Sequence, residues 1–299
     1  MGMIWIVSPM LYDTESYTRL RAEVRVALDG AGEQREVRFL VVDDSAGTDA
    51  DVAGLRAFDD VDVLTPPFNL GHQRAIVYGL RHLAATMADD DIVVTMDSDG
   101  EDQPADVPRL VAALGSSGAA LVLAERTKRS EPLLFRLLYV MFRVFFRVIA
   151  GITVLSGNFA AQRGDSLKAT ISHPSFDLCY SSTLLALRRS TERVPCARGH
   201  RFAGRSRMNT SSLIAHGIRM LLPFSERIAA RMLVIAATAF IAFITVIALV
   251  VAQVITGTAA VIGSSVMAVL FATAFIGFLV LFSGFSKSPT VAAKSPAAA

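Results

Sequence analysis

The chain has 299 residues, enough for one large domain or two small ones, and 53% of them are hydrophobic. A formal net charge of +2 is too small to indicate a nucleic-acid partner. The two cysteines, Cys179 and Cys196, offer neither metal-ligand spacing nor a disulfide framework and read as reduced core residues.

The chain opens on a short apolar run, Ile4-Trp5-Ile6-Val7, halted by Ser8-Pro9. No basic segment precedes it, so it reads as a first β-strand and not as a signal peptide. Further strand-like runs follow at 37–42, 61–64, 92–96 and 120–124, with helical patterns between them, as at 73–87 and 104–114. Nearly continuous apolar strands alternating with helices imply an α/β fold, a mostly parallel sheet covered on both faces. Ligands bind such sheets beyond the carboxyl ends of the strands. Those ends carry Pro9, Tyr12, Asp13 and Glu15 after strand one, and Asp43-Asp44-Ser45 after strand two. Strand three leads to Asn69-Leu70-Gly71, and strand four to Asp97-Ser98-Asp99. One aspartate after a strand is commonly a helix cap, but here four successive strands deliver polar groups to one rim.

The sharpest group is Asp97-Ser98-Asp99-Gly100-Glu101-Asp102-Gln103-Pro104. Two carboxylates one residue apart at the end of a buried strand repel each other and resist desolvation. A divalent cation relieves both costs. Mg²⁺ or Mn²⁺ takes oxygen ligands and keeps positions open for phosphates, so the pair suits the holding of a diphosphate leaving group.

Residues 133–150 form an apolar stretch bearing Arg136, Arg143 and Arg147, spaced to fall on one line of a helix. A basic stripe on an apolar helix suits a membrane interface, where guanidinium groups meet lipid phosphates. The run 213–224 repeats the pattern with Arg219 alone charged. Residues 232–286 contain no Asp, Glu, Lys or Arg. A bilayer core takes about 20 apolar residues per helix, so this run fits two spans that turn at Thr256-Gly257-Thr258. Arg227 and Arg231 precede the hairpin and Lys287 and Lys294 follow it. The positive-inside rule therefore puts both ends, and the main domain, in the cytosol. Gly257 and Gly263 permit close helix packing, which leaves a homo-oligomer open. The Ala-, Ser- and Pro-rich tail reads as disordered.

The order of these motifs resembles glycosyltransferase family 2, in particular its polyprenyl-phosphate branch. Pro9-Met10-Leu11-Tyr12-Asp13-Thr14-Glu15 is similar to the family's Pro-x-Tyr-Asn-Glu, with extra spacing and Asp for Asn. Val42-Asp43-Asp44-Ser45 corresponds to Val-Asp-Asp-Gly-Ser without the glycine, and Asn69-Leu70-Gly71-His72-Gln73-Arg74-Ala75 matches Asn-x-Gly-x-x-x-Ala. The metal motif Asp-Ala-Asp-Leu-Gln-Asp-Pro-Pro appears as residues 97–104, with Glu101 where a Gln ligand is expected. The resemblance implies a GT-A fold with a C-terminal transmembrane hairpin. It implies that Asp97, Asp99 and Glu101 hold Mg²⁺ or Mn²⁺, and that Asp43 and Asp44 face the base and ribose of a sugar nucleotide. Pro9, Tyr12, Glu15, Asn69 and Gly71 would line the same nucleotide, with Arg126 in the place of an arginine after strand five. Arg201-Phe202-Ala203-Gly204-Arg205-Ser206-Arg207 resembles Arg-x-x-Gly-x-Ser-Lys, a glycine-hinged basic loop suited to closing over a diphosphate. The resemblance implies catalytic roles for Arg201 and Arg207 and a nucleotide contact for Ser206. The acceptor region departs from the family: Ser156-Gly157-Asn158-Phe159-Ala160-Ala161-Gln162-Arg163 stands near the sixth strand, where relatives carry Gly-Phe-Arg.

These readings imply a multi-pass protein of the cytoplasmic (inner) membrane. Its cytosolic GT-A domain spans 1–210, including an interfacial helix at about 133–150. A juxtamembrane helix at 211–227, two transmembrane helices at 228–285 and a disordered tail at 286–299 follow. The expected reaction moves a sugar from a nucleotide sugar, UDP-glucose or GDP-mannose by family resemblance, to a polyprenyl phosphate with inversion. Arg136, Arg143 and Arg147 would hold the acceptor phosphate. A processive synthase would carry Gln-x-x-Arg-Trp, but the single tryptophan is Trp5 in the first strand. A nucleotidyltransferase would want a basic glycine-rich loop after strand one. A transferase with another acceptor, and a non-catalytic membrane adaptor, remain as alternatives.

Overall fold

The computed structural model describes residues 2–126, 140, 141, 144, 146–152, 156–187, 189–203, 210–252 and 257–285. It divides into two compact units, one of residues 1–143 and 153–223 and the other of residues 144–152 and 224–299. Residues 144–152 thus fall with the C-terminal helices, whereas the sequence suggested they belong to the domain before them.

The first unit begins with β1 (Ile4–Met10), α1 (Thr14–Gly30), β2 (Val37–Asp43) and β3 (Val61–Leu64). It continues through α2 (His72–Ala84), β4 (Ile92–Thr95), α3 (Val107–Ser117), β5 (Leu121–Arg126) and β6 (Ser156–Arg163). It ends with α4 (Gly164–Ile171), α5 (Tyr180–Ala186), β7 (Thr191–Cys196) and α6 (Thr210–Leu221). The seven strands lie in the order β3-β2-β1-β4-β6-β5-β7. Strands β1 to β4 run parallel, β6 is antiparallel to both β4 and β5, and β7 returns parallel to β5.

The two-residue period of a strand explains the two cores. In β1, Ile4 and Ile6 point to one face, against Leu20 and Val24 of α1 and Leu110 of α3. Val7 points to the other, against Ile76 and Leu80 of α2 and Leu167 of α4. Each such side chain, fully buried, contributes about 1.5–3 kcal/mol. With both faces covered, the free edge of the sheet is its rim, and the carboxyl ends of β1, β2 and β4 meet there. Cys179 and Cys196 are buried and form no disulfide, as the sequence suggested.

The second unit holds a helical segment at 146–150 and the long helices α7 (Ser225–Val251) and α8 (Thr258–Phe285). Phe146 meets Phe224 edge to face at 5.6 Å. Arg227 donates to the Ala150 carbonyl at 3.3 Å and Arg231 to that of Val148 at 2.5 Å. These cations occupy carbonyls left open at the end of the segment. Phe240 of α7 meets Phe271 of α8 in a tilted contact at 5.3 Å, and Phe271 stacks on Phe275 of the same helix at 5.5 Å. Gly257, just before α8, takes a left-handed φ of +69°, which a glycine adopts without strain. Outward-facing Val234 and Ile241 are 64% and 66% exposed. Two helices, over 215–251 and 260–280, are long and apolar enough to cross a membrane. Within the first, Arg219, Glu226, Arg227 and Arg231 precede a charge-free stretch from Met232 onward, so α6 lies ahead of the part that fits a bilayer core.

Candidate active site

Strand ends bring the acidic residues together. Asp43 closes β2 and is buried, its Oδ1 accepting from the Ser45 N–H at 3.0 Å and its Oδ2 from the Thr65 hydroxyl at 3.3 Å. Asp44 accepts from the Leu70 N–H at 2.6 Å and the Gly71 N–H at 2.9 Å, and its carbonyl takes the Asn69 amide at 2.8 Å. Burial pushes the Asp44 carboxyl up and these two N–H donors push it down, with a net rise. Asp44 and Asn69 thus shape the 69–71 loop. Pro9 is buried within β1, opposite Val42. Tyr12, at a φ of 50°, puts its hydroxyl 2.5 Å from that of Thr48. Glu15 is exposed in the first turn of α1, where a negative charge suits the helix dipole.

Beyond β4 the chain turns tightly. Asp99 Oδ1 accepts from the Glu101 N–H at 2.9 Å, and Asp102 Oδ2 accepts from the Asp97 N–H at 3.0 Å. Asp97, Asp99 and Asp102 expose 18%, 12% and 3% of their side chains. Burial, with the Asp97 charge beside it, pushes the Asp102 carboxyl up to about 7. The same two causes raise Asp99. Burial works against Asp97 as well, but His72, Arg126 and the Asn158 amide overcome it and hold that carboxyl well below the usual range.

A polar chain running from α5 through α2 to β6 reaches Asp97. The Ser181 N–H donates to Gln73 Oε1 at 3.2 Å, so the Gln73 amide donates through Nε2 to Asn158 Oδ1 at 2.5 Å. Asn158 Nδ2 then donates to Asp97 Oδ1 at 3.3 Å. His72 Nε2 lies 3.1 Å from the same oxygen. The His72 side chain keeps 45% of its surface, yet desolvation at its inner edge opposes a charge there; the Asp97 carboxylate outweighs it and raises the imidazole's affinity for a proton.

Basic groups face the acids from the other flank. Arg126 Nη2 is 3.4 Å from Asp102 Oδ1, and Arg201 is 2.6 Å from Asp99 Oδ2 and 3.3 Å from Glu101 Oε1. Arg198 also pairs with Glu101. The segment carrying them lies on the acidic turn through Gly199 N–H to Glu101 O and Phe202 N–H to Asp99 O, both 2.9 Å. A Cβ at Gly199 would collide with the Gly100 carbonyl, so that close approach demands glycine. A narrow recess lined by Asp102, Arg126, Gly157, Phe159 and Arg198 opens between these elements.

Of the expected site residues the structure thus gathers Asp97, Asp99, Glu101, Arg126 and Arg201. Glu101, expected as a third metal ligand, turns to Arg198 and Arg201, because two guanidiniums satisfy a carboxylate that would otherwise add to the repulsion. Among the described residues no three His, Cys, Asp or Glu side chains converge in a metal-holding group. The closely spaced hard oxygen donors of Asp97 and Asp99 nevertheless suit a hard divalent cation. Arg147 belongs to the second unit. Arg136, Arg143, Ser206 and Arg207 lie outside the described residues. His72, Gln73, Asn158, Asp102 and Arg198 had drawn no role from the sequence. His72 and Gln73 stand inside the Asn-x-Gly-x-x-x-Ala match and Asp102 inside the acidic motif, which was the available signal.

A mostly parallel sheet whose β4 ends in Asp-x-Asp, flanked by an antiparallel β6, is the construction of a GT-A-type glycosyltransferase. Residues 16–174 match glycosyl transferase family 2, and the chain belongs to that family. It is 31% identical over 111 residues to the undecaprenyl-phosphate 4-deoxy-4-formamido-L-arabinose transferase of Edwardsiella ictaluri (strain 93-146). That match covers 36% of this chain and about a third, 32%, of the relative. Mannosyl-3-phosphoglycerate synthase from Rubrobacter xylanophilus superposes with a TM-score of 0.53 at 13% identity, over 77% of this chain and 75% of that one. A mycobacterial protein superposes with a TM-score of 0.52 at 20% identity, over 76% and 74%. Both structural likenesses speak for the fold alone.

Proposed function

We propose that this glycosyltransferase moves a sugar from a nucleotide sugar, of the UDP-glucose or GDP-mannose type, to a polyprenyl phosphate at the cytosolic face of the inner membrane. The observation that carries the reading is the pairing of the Asp97/Asp99 cluster at the β4 rim with two membrane-length helices in one family 2 chain. The relative's undecaprenyl-phosphate acceptor is consistent with it.

Asp97 and Asp99 would hold Mg²⁺ or Mn²⁺, whose charge would offset that of the departing diphosphate. Asp43, Asp44 and Tyr12 would border the nucleoside, with Pro9, Glu15, Asn69 and Gly71 shaping that rim. Arg126, Arg201 and the following Ser206 and Arg207 would meet the diphosphate. Arg136, Arg143 and Arg147 would supply charge for the acceptor headgroup. A phosphate monoester is already ionised at neutral pH, its second pKa being about 6, so it needs no base to become a nucleophile. Its oxygen attacks the anomeric carbon while the bond from that carbon to the diphosphate oxygen breaks. A single displacement of this kind inverts the anomeric centre. The chain's own contribution is orientation and a preset electrostatic frame.

The test is to incubate membranes bearing the protein with radiolabelled sugar nucleotides and undecaprenyl phosphate, with and without Mn²⁺. Label should enter the organic phase with one donor and only when the divalent ion is present. No organic-phase label from any donor would sink the reading.

A further inference from the structure

The scheme above gives no task to His216 and Arg219. Both lie on α6, three residues apart and so on one helix face. The Arg219 guanidinium sits beside Gly71, whose Cβ, if it had one, would lie 4.0 Å from Nη1. His216 is within electrostatic reach of His72, Arg219 and Asp97. His72 follows Gly71 directly and touches Asp97. Three basic side chains from two helices thus gather at one flank of Asp97. The first turn of α2 brings no carboxylate to offset them. Among the described residues neither His216 nor Arg219 finds a hydrogen-bond or ion-pair partner.

The opposite flank differs. Arg126, Arg198 and Arg201 all have carboxylate partners there. An in-line displacement between two phosphorylated reactants needs two anion sites, one on each side of the anomeric carbon, because nucleophile and leaving group lie opposite one another. The paired arginines suit the leaving diphosphate, which can exchange with their carboxylates. Of the cations on the first flank only His72 meets a carboxylate, that of Asp97, so His216 and Arg219 are left for the nucleophile.

We propose that His72, His216 and Arg219 form the seat of the acceptor's phosphate monoester. The inference rests on the transfer reading and deepens it: Arg136, Arg143 and Arg147 would draw the headgroup to the protein, and this seat would hold its phosphate for attack. The guanidinium supplies forked donors and fixed charge, and even a neutral imidazole donates one N–H. Connectivity favours a lipid phosphate, since α6 is the last helix before α7 in the chain.

The full-length protein in detergent micelles, titrated with farnesyl phosphate and followed by ³¹P NMR, tests the seat without turnover. Arg219 is exposed, so its replacement spares the core. Arg219→Gln and His216→Gln should each bind farnesyl phosphate about tenfold more weakly than the unaltered protein, and Arg219→Lys should recover part of the loss. Nucleoside diphosphate affinity should stay within about twofold in all of them, the donor-side arginines being untouched. Unchanged farnesyl phosphate binding would overturn the proposal, as would a loss of nucleoside diphosphate binding in its place. Binding that is lost in the variants, in a protein that transfers no sugar, would uphold the seat and refute the transfer reading. Sugar transfer with an unaltered acceptor KM in the variants would do the reverse.

Discussion

Asp99 answers to two partners at once: its own turn, through the Glu101 N–H, and the Arg201 guanidinium. Removing the carboxylate should therefore cost activity far more than structure. Asp99→Ala should lower sugar transfer by at least about a hundredfold, the usual scale for losing one preset electrostatic contact, while the melting temperature of the first unit moves little. Transfer near the unaltered rate would rule out the assigned role. Gly199 makes the complementary case. With no room for a methyl group against the Gly100 carbonyl, Gly199→Ala must displace the segment that aims Arg198 and Arg201. Its kcat/KM should fall on the order of tenfold, and an unchanged value would show that this segment does not need its observed position.

At the level of elements, one clamp stands out. Asp60, just ahead of β3, accepts from Arg21 at 2.6 Å and from Arg25 of the same helix, α1. Burial of the carboxyl raises its pKa, but the two arginines outweigh that and leave it lowered. A carboxyl depressed in the folded state stabilises above its unfolded value of about 3.9, and that contribution disappears as pH falls through the folded value. Asp60→Asn should thus cost about 1–2 kcal/mol at neutral pH, discounted because Arg25 remains 38% exposed. The gap between urea melts of the two proteins should narrow as pH falls below the unfolded value of about 3.9 and through the folded one, and a gap that stays constant through that fall would refute the pairing. The strands themselves were readable because β1, β2 and β4 are continuous apolar runs. β7 was not: its Thr191, Glu192 and Arg193 are exposed, and it pairs with β5 alone at the sheet's edge. Nor could spacing show that β6 runs antiparallel. That reversal carries Asn158 to Asp97, a contact across 61 residues that no local pattern encodes. The Asp-x-Asp pair was legible for the opposite reason, since its spacing, its strand and its turn are all local.

For the whole molecule, sidedness can be measured directly, because the native thiols Cys179 and Cys196 are buried and should give a low labelling background. With the hairpin crossing the membrane, Gly257→Cys should react with an impermeant maleimide added to intact cells. Ser116→Cys, on the exposed side of α3, should react only after permeabilisation. The opposite pattern would invert the topology. The pairings around Glu101 and Asp99 also govern how a donor arrives. A mouth whose guanidiniums already neutralise its carboxylates projects little field into solution, so an incoming nucleotide is not drawn from afar and binds by trading one counter-ion for another. Its association rate should then change less than about twofold as ionic strength rises from roughly 0.02 to 0.2 M, where a steered ligand would slow steeply.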